Sequence, residues 1–222
     1  MKKLVLSAAA LAFLATGTIA RAALLIPQAA QSPSSAQYAT AKPVDKTLPS
    51  YDMKAQALLD LDGVNQKFIQ LAEAIPQDKF TWRPAEGTRT VAQVFLHVAG
   101  ERYLILGLGG AQPPADFDGK TYEDSTTDKA KIIEQLHKTW EFAQATISGM
   151  TNADFAKLLP KLGPEANAGD VVYILVADAH EHLGQSVAYA RVLGVVPPWT
   201  IAAKKAAEEK AAKDKAAGDK KD

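Results

Sequence analysis

Apolar positions recur at steps of three and four along four stretches of the chain, and no stretch shows sustained strand alternation. The first stretch follows Ser50, a candidate N-cap, and carries Leu58, Leu61, Phe68 and Ile75 on one stripe. The second follows Thr90, with Val94, His97, Glu101, Leu104 and Leu108. The third follows Thr127, with Ile133, Leu136, Trp140, Ala143, Ile147 and Met150. The fourth runs from about Gly169 to Val192 and stops at Gly194, where Pro197 and Pro198 block continuation. Side chains three and four apart share a helix face, so each stripe needs a partner to cover it. Four such helices predict an all-α fold, a four-helix bundle. The connections from Gly109 to Thr127 and from Thr151 to Ala168 are long, so a simple up-down order does not follow.

The flanks lack this rhythm. Residues 1–22 have the three parts of a secretory signal: Lys2 and Lys3, the apolar run Leu4 to Ala15, and Ala20-Arg21-Ala22 as an A-x-A cleavage site. An uncleaved N-terminal anchor is the alternative, but the apolar run is short for a membrane span. Residues 23–50, rich in Ala, Ser, Gln and Pro, read as a flexible linker. The bundle is expected over 51–200. Residues 201–222 form an Ala/Lys-rich charged tail, either a solvated helix or disorder.

Composition changes this picture in two ways. The chain has 25 basic and 25 acidic residues, and cleavage would remove Lys2, Lys3 and Arg21, leaving a slight acidic excess. That balance and the absence of any nucleic-acid-binding signature argue against a nucleic-acid partner. There is no cysteine, so disulfides, a lipoprotein anchor and a cysteine nucleophile are all excluded. The expected location is exported, periplasmic or secreted, with no stable membrane insertion after cleavage.

Chemistry-bearing residues stand on two of the apolar stripes. The fourth stripe reads Val171, Leu175, Asp178, His182, Gln185 and Tyr189, so Asp178 and His182 leave one face a turn apart. The second stripe adds His97, with Glu101 one turn later. A carboxylate inside a bundle costs several kcal/mol, of order, unless something compensates it. A divalent cation satisfies carboxylates and neutral imidazoles together, and bundle cores hold metals in this way. A hydrogen-bonded Asp–His pair without metal has the same spacing, and spacing alone does not separate the two. His180 lies about 200° round the helix from His182 and is expected at the surface, as is His137.

Two segments carry a resemblance. HLGQ at 182–185, continuing through AYAR to VVPPW, resembles the last helix of the DinB-type (damage-inducible, YfiT-like) metalloenzyme family. WRPAEGTRTVAQVFLHVAGE, Trp82 to Glu101, resembles that family's second helix and the loop before it. The resemblance spans roughly Tyr51 to Thr200 and implies a four-helix bundle of the DinB type in which three histidines hold a divalent metal. Carried over by position, it makes His97 the first ligand and His182 the third. The second falls on Asp178, where the family usually has histidine. Aspartate is a competent ligand, but the departure leaves the metal (Zn, Ni, Mn or Fe) open. Glu101 becomes a fourth ligand or an acid/base, and Gln185 an orienting group or a packing contact. Gly184 is expected to let another helix approach.

Three protein ligands leave an open coordination position, the mark of a catalytic site. The resemblance therefore implies a metal-dependent enzyme acting on a small-molecule substrate. A hydrolase using metal-activated water is preferred, with a thiol-dependent transferase or a non-catalytic metal- or ligand-binding bundle as alternatives. A homodimer is a further expectation for its assembly. No phosphate loop or nucleophile elbow specifies the substrate.

Overall fold

The computed structural model describes residues 52–218. The signal segment and the linker expected over residues 1–50 lie outside the described residues. Four long helices make the bundle: α1 (Met53–Ala74), α2 (Val91–Leu108), α3 (Lys129–Gly149) and α5 (Ala168–Val192). A one-turn helix, α4 (Asn152–Phe155), interrupts the third connection, and α6 (Pro198–Gly218) follows the bundle. Short 3-10 turns stand at Gln77–Lys79 and Tyr122–Asp124.

Side-chain caps account for the helix starts. Thr90 and Gln93 form a capping box at α2, and Asn167 and Asp170 form one at α5. Each such cap contributes about 1 kcal/mol. The cap of α1 differs from the expected one, and α3 is capped by an aspartate as well. Asp52, not Ser50, accepts from the Ala55 amide, and Asp128 accepts from that of Lys131. At α1 a carboxylate two residues on takes the capping position expected for the serine. At the end of α5, Gly194 has φ +78°, the left-handed conformation that glycine adopts without strain.

Helices α1 and α2 each pack against both α3 and α5, so α1 faces α2 and α3 faces α5 across the diagonals, while α2 and α3 lie side by side. Phe68 of α1 meets Phe95 of α2 edge-on at 6.3 Å, and Phe80 stacks on Phe95 at 6.1 Å. Position α2 therefore has partners on most of its circumference. Val94 is buried as expected, but so are Phe95, Leu96, Val98, Ala99, Arg102, Tyr103, Ile105 and Leu106. Leu104 and Leu108, placed on the sequence stripe, are half exposed instead. α2 is long and apolar enough to cross a membrane, yet most of it is buried inside the bundle, which explains its composition. On α3 the buried row is Ile132, Leu136, Trp140, Ala143 and Ile147, with Ile132 rather than Ile133 at its head. The tail left open as helix or disorder is helical as far as Gly218: α6 starts at Pro198, and its residues 201–217 are exposed. Gly184 meets nothing within 4 Å of a Cβ position and is exposed, so it does not serve a close helix approach.

One buried cation crosses the core. The Arg102 guanidinium on α2 donates to the Leu136 carbonyl at 2.7 Å, to Thr139 Oγ1 at 3.1 Å and to Asn65 Oδ1 at 2.8 Å. Burial pushes its pKa down to about 10, which still leaves it charged at neutral pH.

Candidate metal centre

His97 projects from the middle of α2, while Asp178 and His182 stand one turn apart on the facing side of α5. One ligand atom from each lies within 4.8 Å of the other two. The His97 and His182 Nε2 atoms are 3.1 Å apart, and His182 Nε2 is 3.3 Å from Asp178 Oδ1. Donor atoms about 2.0–2.2 Å from one divalent ion stand roughly 3.0–3.5 Å from each other, so these separations fit shared coordination. The three side chains are 12–19% exposed.

The outer nitrogens of the two rings decide what the inner ones can do. His97 Nδ1 lies 2.7 Å from Glu123 Oε1, and a carboxylate can only accept, so Nδ1 carries the proton. His182 Nδ1 lies 2.9 Å from Gln185 Oε1, again an acceptor, so it too is protonated. Neutral imidazoles protonated at Nδ1 present bare lone pairs at Nε2. Two such lone pairs and the Asp178 oxygen thus converge with no hydrogen between them. Only a cation reconciles them, either an added proton or a metal ion.

The surrounding charges support this arrangement. Burial would push the Glu123 carboxyl up, but hydrogen bonds from Arg89 and His97 outweigh it and hold it below the usual range. Arg89 grips Glu123 through two bonds, Nε to Oε2 at 2.7 Å and an Nη donor to Oε1 at 3.0 Å. Burial raises Glu101, although His97 and His182 partly offset the rise. The hydrogen bond with Asp178 raises His182 against its own desolvation.

The structure thus brings His97, Asp178 and His182 together. Glu101 stands 3.7 Å from His97 Nδ1, behind the ring rather than among the converging lone pairs. Gln185 contacts His182 at its outer nitrogen, and its amide donates to Tyr189 Oη at 3.4 Å. His180 is exposed and pairs with Asp60 at 2.7 Å, and His137 is exposed. Neither Glu123 nor Arg89 is singled out by periodicity, although Arg89 lies within the segment Trp82 to Glu101 that carries the resemblance. The only signal for Glu123 was the length of the connection that carries it, because no periodicity constrains a loop side chain.

Comparison with known proteins gives the same architecture. YfiT from Bacillus subtilis, described as a probable metal-dependent hydrolase with an unusual four-helix bundle topology, superposes with a TM-score of 0.53 at 19% identity. The match covers 70% of this chain and 95% of that one. At that identity the likeness establishes the fold. No curated protein matches. The sequence model of the DinB superfamily matches residues 60–186, which include both histidines, the aspartate and the turn bearing Glu123. The chain belongs to the DinB superfamily.

Proposed function

We propose that the chain is an exported metal-dependent hydrolase whose single divalent ion is held by His97, Asp178 and His182. The observation that carries this reading is the convergence of three lone pairs, two of them turned inward by acceptors at the opposite ring nitrogens. A proton satisfies two of those atoms at a time; a divalent ion satisfies all three. The description of YfiT as a probable metal-dependent hydrolase agrees with this reading.

A divalent ion with three protein ligands supplies Lewis acidity and a water acidified towards neutral pH. This chain's own residues do the rest. His97 and His182 hold their rings fixed through Glu123 and Gln185, so the ligand atoms need little reorganisation. Glu101, one turn from His97 and with its carboxyl raised by burial, is the acid/base candidate beside the site. Gln185 accepts from the outer nitrogen of His182 and donates to the Tyr189 hydroxyl, holding the ring from behind. Nothing on this chain offers a thiol, so transfer of a thiol would require that group on a substrate.

Elemental analysis of untagged protein tests the metal, and turnover of ester and amide substrates tests hydrolysis. Alanine at any one of His97, Asp178 or His182 should weaken metal binding, and alanine at any two should abolish it. Equal metal content in the wild type and the triple variant overturns the site. Export is tested by the N-terminus of the mature protein, expected at or near Ala23.

A further inference from the structure

The 3-10 turn Tyr122–Asp124 lies outside the long helices, yet it is fastened at three points to α2 and the residue just before its cap. Gln93, part of the α2 capping box, donates to Asp124 Oδ1 at 2.7 Å. Arg89, one residue before the cap, holds both oxygens of Glu123, and His97 donates to the same carboxylate. From Arg89 the connections continue to α5. The Tyr189 hydroxyl donates to the Arg89 carbonyl at 3.3 Å, Gln185 donates to that hydroxyl, and His182 donates to Gln185. The outer nitrogens of the two histidines are therefore joined by one hydrogen-bonded circuit running through Glu123, Arg89, Tyr189 and Gln185.

The two halves of that circuit are unequal. On the His97 side every link is 3.0 Å or shorter and charge-assisted, and the Arg89–Glu123 pair is bidentate. On the His182 side the links from Gln185 to Tyr189 and from Tyr189 to Arg89 are 3.4 and 3.3 Å between neutral groups. Hydrogen bonds to charged groups are roughly twice as strong as neutral ones. The orienting effect is therefore concentrated on His97.

We propose that Arg89 and Glu123 are positioning residues for the metal centre: the Arg89 fork fixes the Glu123 carboxylate, which accepts a hydrogen bond from His97 Nδ1–H and so turns the Nε2 lone pair towards His182 and Asp178. The consequence for metal affinity rests on the metal-site reading above; the consequence for the His97 tautomer does not. Neither residue touches the converging ligand atoms, so both act through His97. The arrangement also makes the connection between α2 and α3 part of the site, because the carboxylate comes from that connection and not from a bundle helix.

The test is made on the full chain labelled with nitrogen-15 at histidine and freed of metal. Long-range proton–nitrogen spectra at about pH 8 report which His97 nitrogen carries the proton, with His97→Gln supplying the assignment. The wild type is expected to hold the proton at Nδ1. Glu123→Ala should release it to the other nitrogen, and should weaken zinc binding, measured by chelator competition, by about 10–100-fold. Glu123→Gln retains an acceptor oxygen, so it should keep the Nδ1 tautomer and lose less affinity than Glu123→Ala. Arg89→Gln should fall between these, and it replaces Glu123→Ala if that variant does not fold. An unchanged tautomer in folded Glu123→Ala overturns the proposal. A wild type that binds no zinc would remove the metal reading alone, since the tautomer spectra still decide the role of Glu123.

Discussion

His97 and His182, 85 residues apart in the chain, face each other with their Nε2 atoms at 3.1 Å and their rings 84° apart. Neither ring can donate to the other while both are neutral, because each has its proton on the outer nitrogen. The pair is stable only with a positive charge between or upon the two rings, and this makes the site sensitive to protons and metal ions alike.

That competition fixes a pH dependence. Asp178 holds the His182 pKa above its ordinary value of 6.5. In metal-free protein the proton on His182 therefore stabilises the fold fully below the unfolded value, and this contribution is lost as pH rises through the raised folded value. Metal binding must displace that proton. Zinc affinity is expected to climb about tenfold per pH unit below the His182 pKa and to level off above it. Calorimetric titrations in buffers of different ionisation enthalpy should show proton release on the acid side only. A flat affinity between pH 6 and 8, roughly the range over which histidine charge changes, contradicts the assignment of His182 as a ligand.

Much of this site is legible in sequence because its ligands obey helix geometry. Asp178 and His182 are four apart, and α5 presents one apolar face, so their shared direction follows from spacing alone. His97 sits on a similar stripe of α2. Arg102 escapes the same logic. A cation one position from Glu101 reads as surface, and only the enclosure of α2 by its neighbours puts it in the core. The Ile132 row on α3 illustrates the limit in another way: Ile132 and Ile133 both continue an apolar rhythm, and contact with the other helices selects between them. Glu123 is the extreme case, since the fold of a long connection decides where its carboxylate points.

Arg102 should matter for stability well beyond the site. Replacing it by Met keeps apolar volume but strips the Asn65 and Thr139 oxygens of a charged donor. Asn65 already has an unpartnered Nδ2, so its amide would be left with little compensation. Arg102→Met is expected to cost about 2–4 kcal/mol in urea unfolding. Adding Asn65→Leu removes the stranded amide and should recover part of that loss. If Arg102→Met alone is as stable as the wild type, the guanidinium contributes nothing net.

Gly100 separates stability from metal binding. A Cβ there would stand 3.1 Å from Tyr122 Cδ1. The Tyr122 ring is held by Phe117 and Tyr103, and its hydroxyl donates to Gln135 at 2.8 Å, so it has little room to yield. Alanine gains about 1 kcal/mol of helix propensity, which offsets the crowding. Gly100→Ala is therefore expected to change the melting temperature little. It should nevertheless displace the turn bearing Glu123 and lower zinc affinity several-fold, of order the smaller outer-ligand effects. Unchanged affinity in Gly100→Ala would show that the turn tolerates the shift without disturbing His97.

The aspartate at 178 stands where the DinB resemblance calls for histidine, so Asp178→His tests what the carboxylate contributes. Three neutral imidazoles leave a divalent ion's charge intact, whereas one carboxylate cancels part of it. The native set should therefore acidify a bound water less than an all-histidine set. Oxygen also favours harder ions, so manganese and iron should compete better against zinc and nickel in the native protein than in Asp178→His. The histidine variant is expected to keep a metal, shift preference towards zinc or nickel, and move any water-dependent activity to lower pH. Asp178→Asn should weaken binding, since its amide oxygen lacks the charge. Metal competition on all three proteins, with folding checked by circular dichroism, decides the matter. Equal content and preference in both folded variants would remove Asp178 from the ligand set and leave it as the hydrogen-bond partner that holds a proton on His182.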